Sequence, residues 1–285
     1  MKMAITVDDL PGDRNLPMGM SGIEVSSAIL KILKHNRMPD VYGFANGGVS
    51  EKDSEIVGAL KLWLGAGYPL GNHTYSHVSL DDTSTDDYLA DIAKMQNLLD
   101  GLATSSRLRL AGRVFRYPYL AEGSTTAKRA SVRHYLLSNG YRIAEVTIDY
   151  NDWAWNQAYV RCMNRHDGDT LNWLKQNVGK HSRIAALSAR RISKQLFNRD
   201  ITHILLVHDT YFDSLTLDSI LEAFRKEDVE FVSLDEALKD PAYKIDPHYV
   251  YSGGATFLAQ VAASREVDVD FDDANIVETL GKMCR

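Results

Sequence analysis

The sequence has 285 residues, enough for one large domain or two small ones with a sizeable buried core. Hydrophobic residues at 45% and charged residues at 25% are ordinary values for a globular protein. A formal net charge of −6 argues against a nucleic-acid binder or a polybasic membrane partner, since either needs a basic patch. No apolar run approaches the length of about 18 residues that a transmembrane helix requires.

Short apolar runs alternate with longer amphipathic ones, a pattern that predicts β/α units. Helix-spaced apolar residues run through 23–33, 56–64 and 88–99, and Gly101 is the predicted C-cap of the third helix. Seven such alternations without a dominant linker predict a single α/β barrel. The predicted strands are 3–7, 41–45, 68–72, 114–118, 141–148, 202–208 and 229–232.

Two segments do not fit this simple alternation of strands and helices. Residues 155–198 form a long polar insertion with helical character, either a solvated helical pair or a lid over the substrate. The tail, residues 241–285, contains Gly253 and Gly254 followed by helical patterns, and we expect it to pack on the outside of the barrel. The barrel itself is therefore predicted over residues 1–240, interrupted by the insertion.

The N-terminus and the cysteines leave the cellular compartment open. Residues 1–7 are too short and too quickly followed by acidic residues for a signal peptide. The protein is expected either to be cytosolic or to have lost an export signal. Cys162 and Cys284 give no disulfide framework and no CxxC metal pair.

Reactive side chains recur at the predicted strand ends, where α/β barrels build their active sites. Each alone has a common structural explanation, such as a helix cap or a solvated turn for paired aspartates. Their coincidence at one end of the barrel therefore carries the inference. The residues are Asp8 and Asp9 (strand one), His73 and His77 (strand three), Arg116 (strand four), Asp149 and Asp152 (strand five) and His208 (strand six).

A metal site is one consequence of this arrangement. His73 and His77 are four residues apart, which suits a divalent metal if both lie on one side of a helical turn. Asp9 completes a His₂-carboxylate set with open positions, whereas a structural zinc uses four protein ligands. Adjacent strand residues face opposite sides, so Asp8 and Asp9 act together only where residues 10–12 break the strand.

Five short segments occur in a fixed order between Thr6 and His208. They are Thr6-Val7-Asp8-Asp9-Leu10-Pro11, Asn72-His73-Thr74-Tyr75-Ser76-His77, Arg116-Tyr117-Pro118-Tyr119, Asp149-Tyr150-Asn151-Asp152-Trp153 and Leu206-Val207-His208. These segments resemble the motifs TFDDGP, H(S/T)xxH, RxPY, DxxDW and LxH of the polysaccharide deacetylase family (NodB homology domain, carbohydrate esterase family 4). That family has a distorted, TIM-barrel-like fold of seven strands, in agreement with the strand count.

The resemblance implies a metal-dependent hydrolase that removes acetyl groups from N- or O-acetylated sugars. Asp9, His73 and His77 would hold the metal, with Zn²⁺ expected and Co²⁺, Ni²⁺ or Mn²⁺ as alternatives. Asp8 would be the general base, oriented by Arg116. Val and Leu replace the usual Phe and Gly of the first motif, changes that we interpret as differences in packing.

The later motifs imply the remaining roles. His208 would be the general acid, paired with Asp152. Tyr119 would donate its backbone N–H to the oxyanion. Trp153 and Leu206 would line the pocket that receives the acetyl methyl group.

Two other functions stay open on the sequence. One is a cyclic imide or allantoin-type C–N hydrolase, several of which lack the metal triad that is intact here. The other is a non-catalytic carbohydrate-binding barrel, which would predict loss of the base, Arg116 or the acid. The expected partner is an acetylated carbohydrate, but the polymer and the oligomeric state stay open. The resemblance implies a periplasmic or secreted location if an export signal was removed.

Overall fold

The seven predicted strands all form. The structure, a computed structural model, describes residues 1–12, 15–47, 53–106, 112–271 and 275–285. Within these ranges each strand coincides with one of the apolar runs of the sequence. The strands are β1 (Lys2–Leu10), β2 (Tyr42–Ala45), β3 (Leu70–Asn72), β4 (Val114–Phe115), β5 (Arg142–Ile143), β6 (His203–His208) and β7 (Glu230–Val232).

All strand pairings are parallel and the sheet curls into a distorted barrel. The order is β5-β4-β3-β2-β1-β6, and β7 pairs with the first residues of β1. The chain that follows β5 closes the curl, because Leu206 donates its N–H to the Ile148 carbonyl over 3.0 Å. The predicted fold class, an α/β barrel of seven strands, is confirmed.

Burial explains why the central strands are almost wholly apolar. Parallel strands are covered on both faces, so their side chains cannot alternate between core and solvent. Met3, Ala4, Ile5 and Val7 of β1 are all at most 3% exposed, and the neighbouring residues 204–207 of β6 are at most 4% exposed. The acidic residues Asp8 and Asp9 and the histidine His208 stand at the carboxyl ends of these strands.

Ten helices accompany the strands in the described part of the chain. None of them is long and apolar enough to cross a membrane. The helices are α1 (Gly22–His35), α2 (Asp53–Gly65), α3 (Thr85–Ser106), α4 (Thr126–Ser138), α5 (Asp152–Asn164), α6 (Gly168–Phe197), α7 (Tyr211–Arg225), α8 (Leu234–Ala237), α9 (Phe257–Ser264) and α10 (Ile276–Lys282).

Helix α3 does not end at Gly101 as the sequence predicted. A glycine inside a helix costs about 1 kcal/mol relative to alanine, so it weakens a helix without forcing it to end. The buried face of α3 continues past Gly101, since Leu99 and Leu102 are 2% and 4% exposed. Packing of this face outweighs the local preference of the glycine.

The insertion is a packed helical pair, α5 and α6, and not a solvated one. Helix α6 packs against α5 and α7 and has a buried face of apolar and small residues. Trp155 of α5 is fully buried between the rings of Trp173 and Phe212, with ring centroids 6.0 and 6.2 Å away. The pair therefore adds a layer to the core.

The C-terminal tail returns to the barrel and to the insertion. Phe257 donates its N–H to the Val146 carbonyl over 2.7 Å, and α10 packs against α5. Cys162 and Cys284 form a disulfide, with their Cα atoms 5.1 Å apart. The expectation of no disulfide was wrong, because the two cysteines lie 122 residues apart in sequence and only the folded tail brings them together.

We expect Trp155→Ala to lower the free energy of unfolding by about 3–5 kcal/mol, because it leaves a large cavity between three helices. Trp173→Ala is the matched control, since Trp173 is 38% exposed and leaves a smaller cavity. Urea denaturation followed by far-UV circular dichroism measures both. Equal losses in the two variants would contradict this account of the insertion.

Candidate active site

The parallel register brings the reactive side chains to one edge of the barrel. Asp8 of β1 is directly paired with His208 of β6. The ladder continues through β2, β3 and β4, because His73 donates its N–H to the Ala45 carbonyl (3.0 Å) and Arg116 donates to the Asn72 carbonyl (3.1 Å). Residues far apart in sequence thus meet at the carboxyl ends of the strands, as predicted.

Asp8 and Asp9 both reach the site because β1 is irregular at this point. The register with β2 shifts between Val7 and Leu10, and Asp9 has a left-handed φ of 63°. A regular strand would send adjacent side chains to opposite faces. The predicted break of the strand is therefore present, although it begins at Asp9 itself.

His73 and His77 lie in a loop, not on the helical turn that their spacing suggested. Thr74 and His77 have left-handed φ values of 61° and 52°. The loop is held by α3, where the Asp91 carboxylate accepts the N–H groups of Tyr75 and Ser76, each over 2.8 Å. The loop places the two imidazole centroids 5.0 Å apart.

Asp9, His73 and His77 form a group that fits a divalent metal. Oδ1 of Asp9 lies 3.6 Å from Nε2 of His73 and 3.1 Å from Nε2 of His77. One donor atom from each residue lies within 4.8 Å of the other two. Two imidazole nitrogens and a carboxylate oxygen are the donors that Zn²⁺ uses in catalytic sites.

Each of these three side chains is held by a further contact. Nδ1 of His73 lies 2.8 Å from the Arg116 carbonyl, which leaves Nε2 free of a proton. Nδ1 of His77 lies 3.1 Å from the phenol oxygen of Tyr119, and Asn46 donates to Oδ1 of Asp9 over 3.0 Å. The sequence reasoning missed both Asn46 and this hydroxyl. Asn46 directly follows β2 and could have been found as one more strand-end residue.

Protonation also fits metal binding. Burial lowers the pKa of His73 to about 4, so its imidazole is neutral near pH 7. Burial alone would raise the pKa of Asp9, but the hydrogen bond and charge of His77 leave that pKa below its usual value. A neutral imidazole and an ionised carboxylate are the forms that bind metals.

Asp8 is paired with Arg116 inside the barrel. Both side chains are at most 2% exposed, and Nη1 of Arg116 donates to the two carboxylate oxygens over 3.1 and 3.2 Å. Nη2 of Arg116 donates to the hydroxyl of Thr6 over 3.0 Å. The guanidinium thus holds the Asp8 carboxylate in one orientation beside Asp9.

His208 and Asp152 form a second pair, on β6 and at the start of α5. Nδ1 of His208 lies 2.6 Å from Oδ1 of Asp152. The other carboxylate oxygen of Asp152 accepts a hydrogen bond from the backbone N–H of His208. Burial alone would lower the pKa of His208, but the Asp152 charge and hydrogen bond raise this pKa well above its usual value. Burial and the neighbouring Asp152 charge also raise the pKa of Asp149 to about 6.

Asp213 lies behind this pair and was not predicted. It accepts a hydrogen bond from the Tyr150 hydroxyl over 2.9 Å and is fully buried. Burial and the Asp152 charge raise the pKa of Asp213 well above its usual value. Its position after β6 and Thr210 looks like an ordinary helix start in the sequence, so no local signal marks it.

A cavity of about 1000 Å³ joins these groups. Eight of the ten predicted site residues line it, while Arg116 and Asp152 lie behind Asp8 and His208. Helices α5 and α6 and the tail supply further walls. The tail was expected on the outside of the barrel, and the insertion either as a solvated helical pair or as a lid over the substrate. These additional lining residues include Gln157, Ala185, Ser188, Ala189, residues 253–256, Phe271 and Val277.

The comparison with known families agrees with this geometry. A family model described as polysaccharide deacetylase matches residues 1–144. The chain belongs to this family. A peptidoglycan-N-acetylglucosamine deacetylase of Bacillus cereus is 28% identical over 152 residues, 53% of this chain and 46% of the relative. The chain thus aligns with about half of that relative's length.

Solved structures of family members share the fold. A chitin deacetylase of the fungus Colletotrichum lindemuthianum has a TM-score of 0.55 at 20% identity, over 89% of this chain and 92% of its own. A pseudoenzyme of Bacillus anthracis from carbohydrate esterase family 4 has a TM-score of 0.50 at 19% identity, over 83% and 64% of the two chains. Because the fold occurs in a pseudoenzyme too, activity has to be argued from the site.

We expect His73→Ala and His77→Ala to lose bound divalent metal, because each removes one of three donor atoms. Elemental analysis after loading with Zn²⁺ and desalting measures the metal content. His134→Ala is the control, since this exposed histidine lies on α4, and it keeps the wild-type content. Full metal occupancy in both site variants would overturn the assignment of the ligands.

Proposed function

We propose that the protein is a metal-dependent deacetylase that hydrolyses the N-acetyl or O-acetyl group of a sugar. The observation that carries the proposal is the convergence of three groups on one cavity. They are the metal-binding group of Asp9, His73 and His77, the Asp8–Arg116 pair and the His208–Asp152 pair. Family membership supports the same reaction.

Asp8 is the general base in this proposal. A divalent metal bound by the neighbouring ligands would supply Lewis acidity that polarises the acetyl carbonyl and makes water more acidic. Asp8 accepts a proton from the attacking water, and its carboxylate is already oriented by Arg116. Its neighbour Asp9 stays ionised as a ligand, so the adjacent aspartates have separate roles.

His208 is the general acid. Hydrolysis of an amide requires a proton on the departing nitrogen, because an amide anion is a poor leaving group. The raised pKa keeps His208 protonated near pH 7, and Nδ1 is occupied by Asp152, so Nε2 is the proton donor. As the C–N bond breaks, this proton passes to the amine and acetate is released.

The remaining predicted residues stabilise and enclose the reacting group. The backbone N–H of Tyr119 is proposed to donate to the oxyanion, an interaction that contributes about 2.7–4 kcal/mol per well-placed donor. Trp153 and Leu206 line the cavity beside His208 and are proposed to surround the acetyl methyl group. Such a wall favours a small acyl group over a bulky one.

The activity is tested by acetate release from acetylated oligosaccharides. The Zn²⁺-loaded protein is expected to release acetate from at least one of chitin oligomers, peptidoglycan fragments or acetylated xylan. Chelation stops the release and added Zn²⁺ restores it. Acetate release that continues after chelation, or binding of the sugars without acetate release, would contradict the proposal.

Asp8→Asn tests whether Asp8 is the general base or a metal ligand. It is expected to retain metal and to lose about 10²–10⁴-fold in kcat, the usual contribution of a general base. The substitution leaves Arg116 without its counter-charge, so circular dichroism must first establish that the variant is folded. Loss of metal in a folded Asp8→Asn variant would mean that Asp8 and Asp9 have the opposite roles.

We expect Asp152→Asn to shift the alkaline limb of the kcat/KM profile to lower pH. Asp152 raises the pKa of His208, so removing its charge lowers that pKa and the acid is deprotonated at a lower pH. Amide substrates should be slowed more than aryl acetates, whose leaving groups need no proton.

The two substrate types provide the control for this experiment. A general loss of structure would slow amides and aryl acetates alike, whereas loss of the acid slows amides selectively. His208→Ala should show the same selectivity as Asp152→Asn. Equal slowing of both substrates in both variants would exclude His208 as the acid.

A further inference from the structure

The C-terminal tail passes the cavity in a segment, residues 253–257, that we call the strap. Three backbone N–H groups of the strap donate to separate parts of the barrel. The acceptors are the Asp81 carboxylate for Gly253 (2.7 Å), the Leu120 carbonyl for Ala255 (3.3 Å) and the Val146 carbonyl for Phe257 (2.7 Å). The strap is thus fixed on both sides of Gly254.

Gly254 lies against the backbone of Tyr119 with no space for a side chain. A Cβ atom at this position would lie 1.9 Å from the Tyr119 carbonyl oxygen and 3.1 Å from the carbonyl carbon of Leu120. Gly254 also has a φ of +82°, which glycine adopts without steric cost. The strap therefore fixes the position of the Tyr119 carbonyl.

Tyr119 needs such support because its backbone conformation is unfavourable. Tyr119 and Leu120 have left-handed φ values of 58° and 54°. Consecutive residues other than glycine seldom adopt this region, and they stay there only where surrounding contacts hold them. The close approach of Gly254 and the bond from Ala255 to Leu120 are contacts of this kind.

The side chain of Tyr119 connects its backbone to the metal-binding group. Its phenol oxygen lies 3.1 Å from Nδ1 of His77, and the two ring centroids are 4.6 Å apart. The other ring nitrogen of His77 lies 3.1 Å from Asp9. A partner on the distal nitrogen of a metal-binding histidine fixes the orientation and tautomer of the ring.

We propose that Gly254 is a positioning residue of the metal site, acting through Tyr119 on His77. The strap holds the Tyr119 backbone, and the Tyr119 hydroxyl holds the His77 ring with Nε2 toward Asp9 and His73. The inference rests on the proposed function, because it takes these residues as metal ligands. It adds to that site a segment beyond residues 1–144, the part of the chain that the family model matches.

Zn²⁺ affinity, measured by competition with a chromophoric chelator, tests the proposal without substrate. Tyr119→Phe is expected to weaken Zn²⁺ binding by about 10–100-fold, the usual effect of losing a partner of a ligand. Gly254→Ala is expected to weaken binding in the same direction. Gly140→Ala is the matched control, because Gly140 has a similar φ of +74° and open space around it but lies outside the strap and the cavity, and it keeps wild-type affinity.

A double variant tests whether Gly254 acts through Tyr119. If it does, Gly254→Ala combined with Tyr119→Phe binds Zn²⁺ no more weakly than Tyr119→Phe alone. The visible spectrum of the Co²⁺-loaded protein should change in both single variants and stay unchanged in Gly140→Ala. Two outcomes would overturn the proposal. One is that the losses of Zn²⁺ affinity in the two single variants multiply in the double variant, and the other is that Gly140→Ala and Gly254→Ala have equal effects.

Asp81→Ala tests the strap if Gly254→Ala does not fold. It removes the acceptor of the Gly253 N–H without adding an atom, and it should weaken Zn²⁺ binding only when the Tyr119 hydroxyl is present. A wild-type protein that binds no Zn²⁺ would contradict the metal site of the proposed function as well. Wild-type Zn²⁺ binding with unchanged affinity in the folded strap variants would overturn this inference alone.

Discussion

The buried ion pair of Asp8 and Arg116 is the interaction on which the rest of the site depends. An unpaired guanidinium buried inside the barrel would cost several kcal/mol of folding free energy, so Arg116 requires hydrogen-bonding partners on every side. Its side chain binds Asp8 and Thr6 of β1, and its Nε donates to the carbonyl of Ala144, which directly follows the neighbouring strand β5. Its own carbonyl accepts from His73. One residue thus orients the proposed base with its side chain and a proposed ligand with its backbone.

The same sheet gives the proposed acid and base different environments although they are direct neighbours. Asp8 and His208 are paired in register on β1 and β6. Asp8 is held by a cation, while His208 is held by the carboxylate of Asp152. The Arg116 cation orients the Asp8 carboxylate, and the Asp152 charge favours a protonated His208, the form that an acid requires. Separate partners, not distance, keep the two roles apart.

The sequence predicted the strands and the strand-end residues well, because both follow from local patterns. Burial on both faces makes the strands apolar, and parallel strands place their carboxyl ends at one edge. The errors concern features set by distant contacts. Gly101 stays helical because α3 is packed beyond it, and the loop at His77 takes its shape from Asp91 on α3. The disulfide of Cys162 depends on where the tail returns, which no spacing in the sequence indicates.

The walls of the cavity show why membership of the family does not determine the substrate. The barrel strands supply the reactive groups, but Ala185 and Ser188 of α6 and Phe271 of the tail enclose the space in front of them. These residues lie outside the region 1–144 that the family model matches. A substrate has to fit this enclosure before it reaches the reactive groups. The proposed metal ligands and base lie inside the matched region, whereas the proposed acid and these walls lie outside it. We therefore expect selectivity to depend on how this chain packs its insertion and its tail.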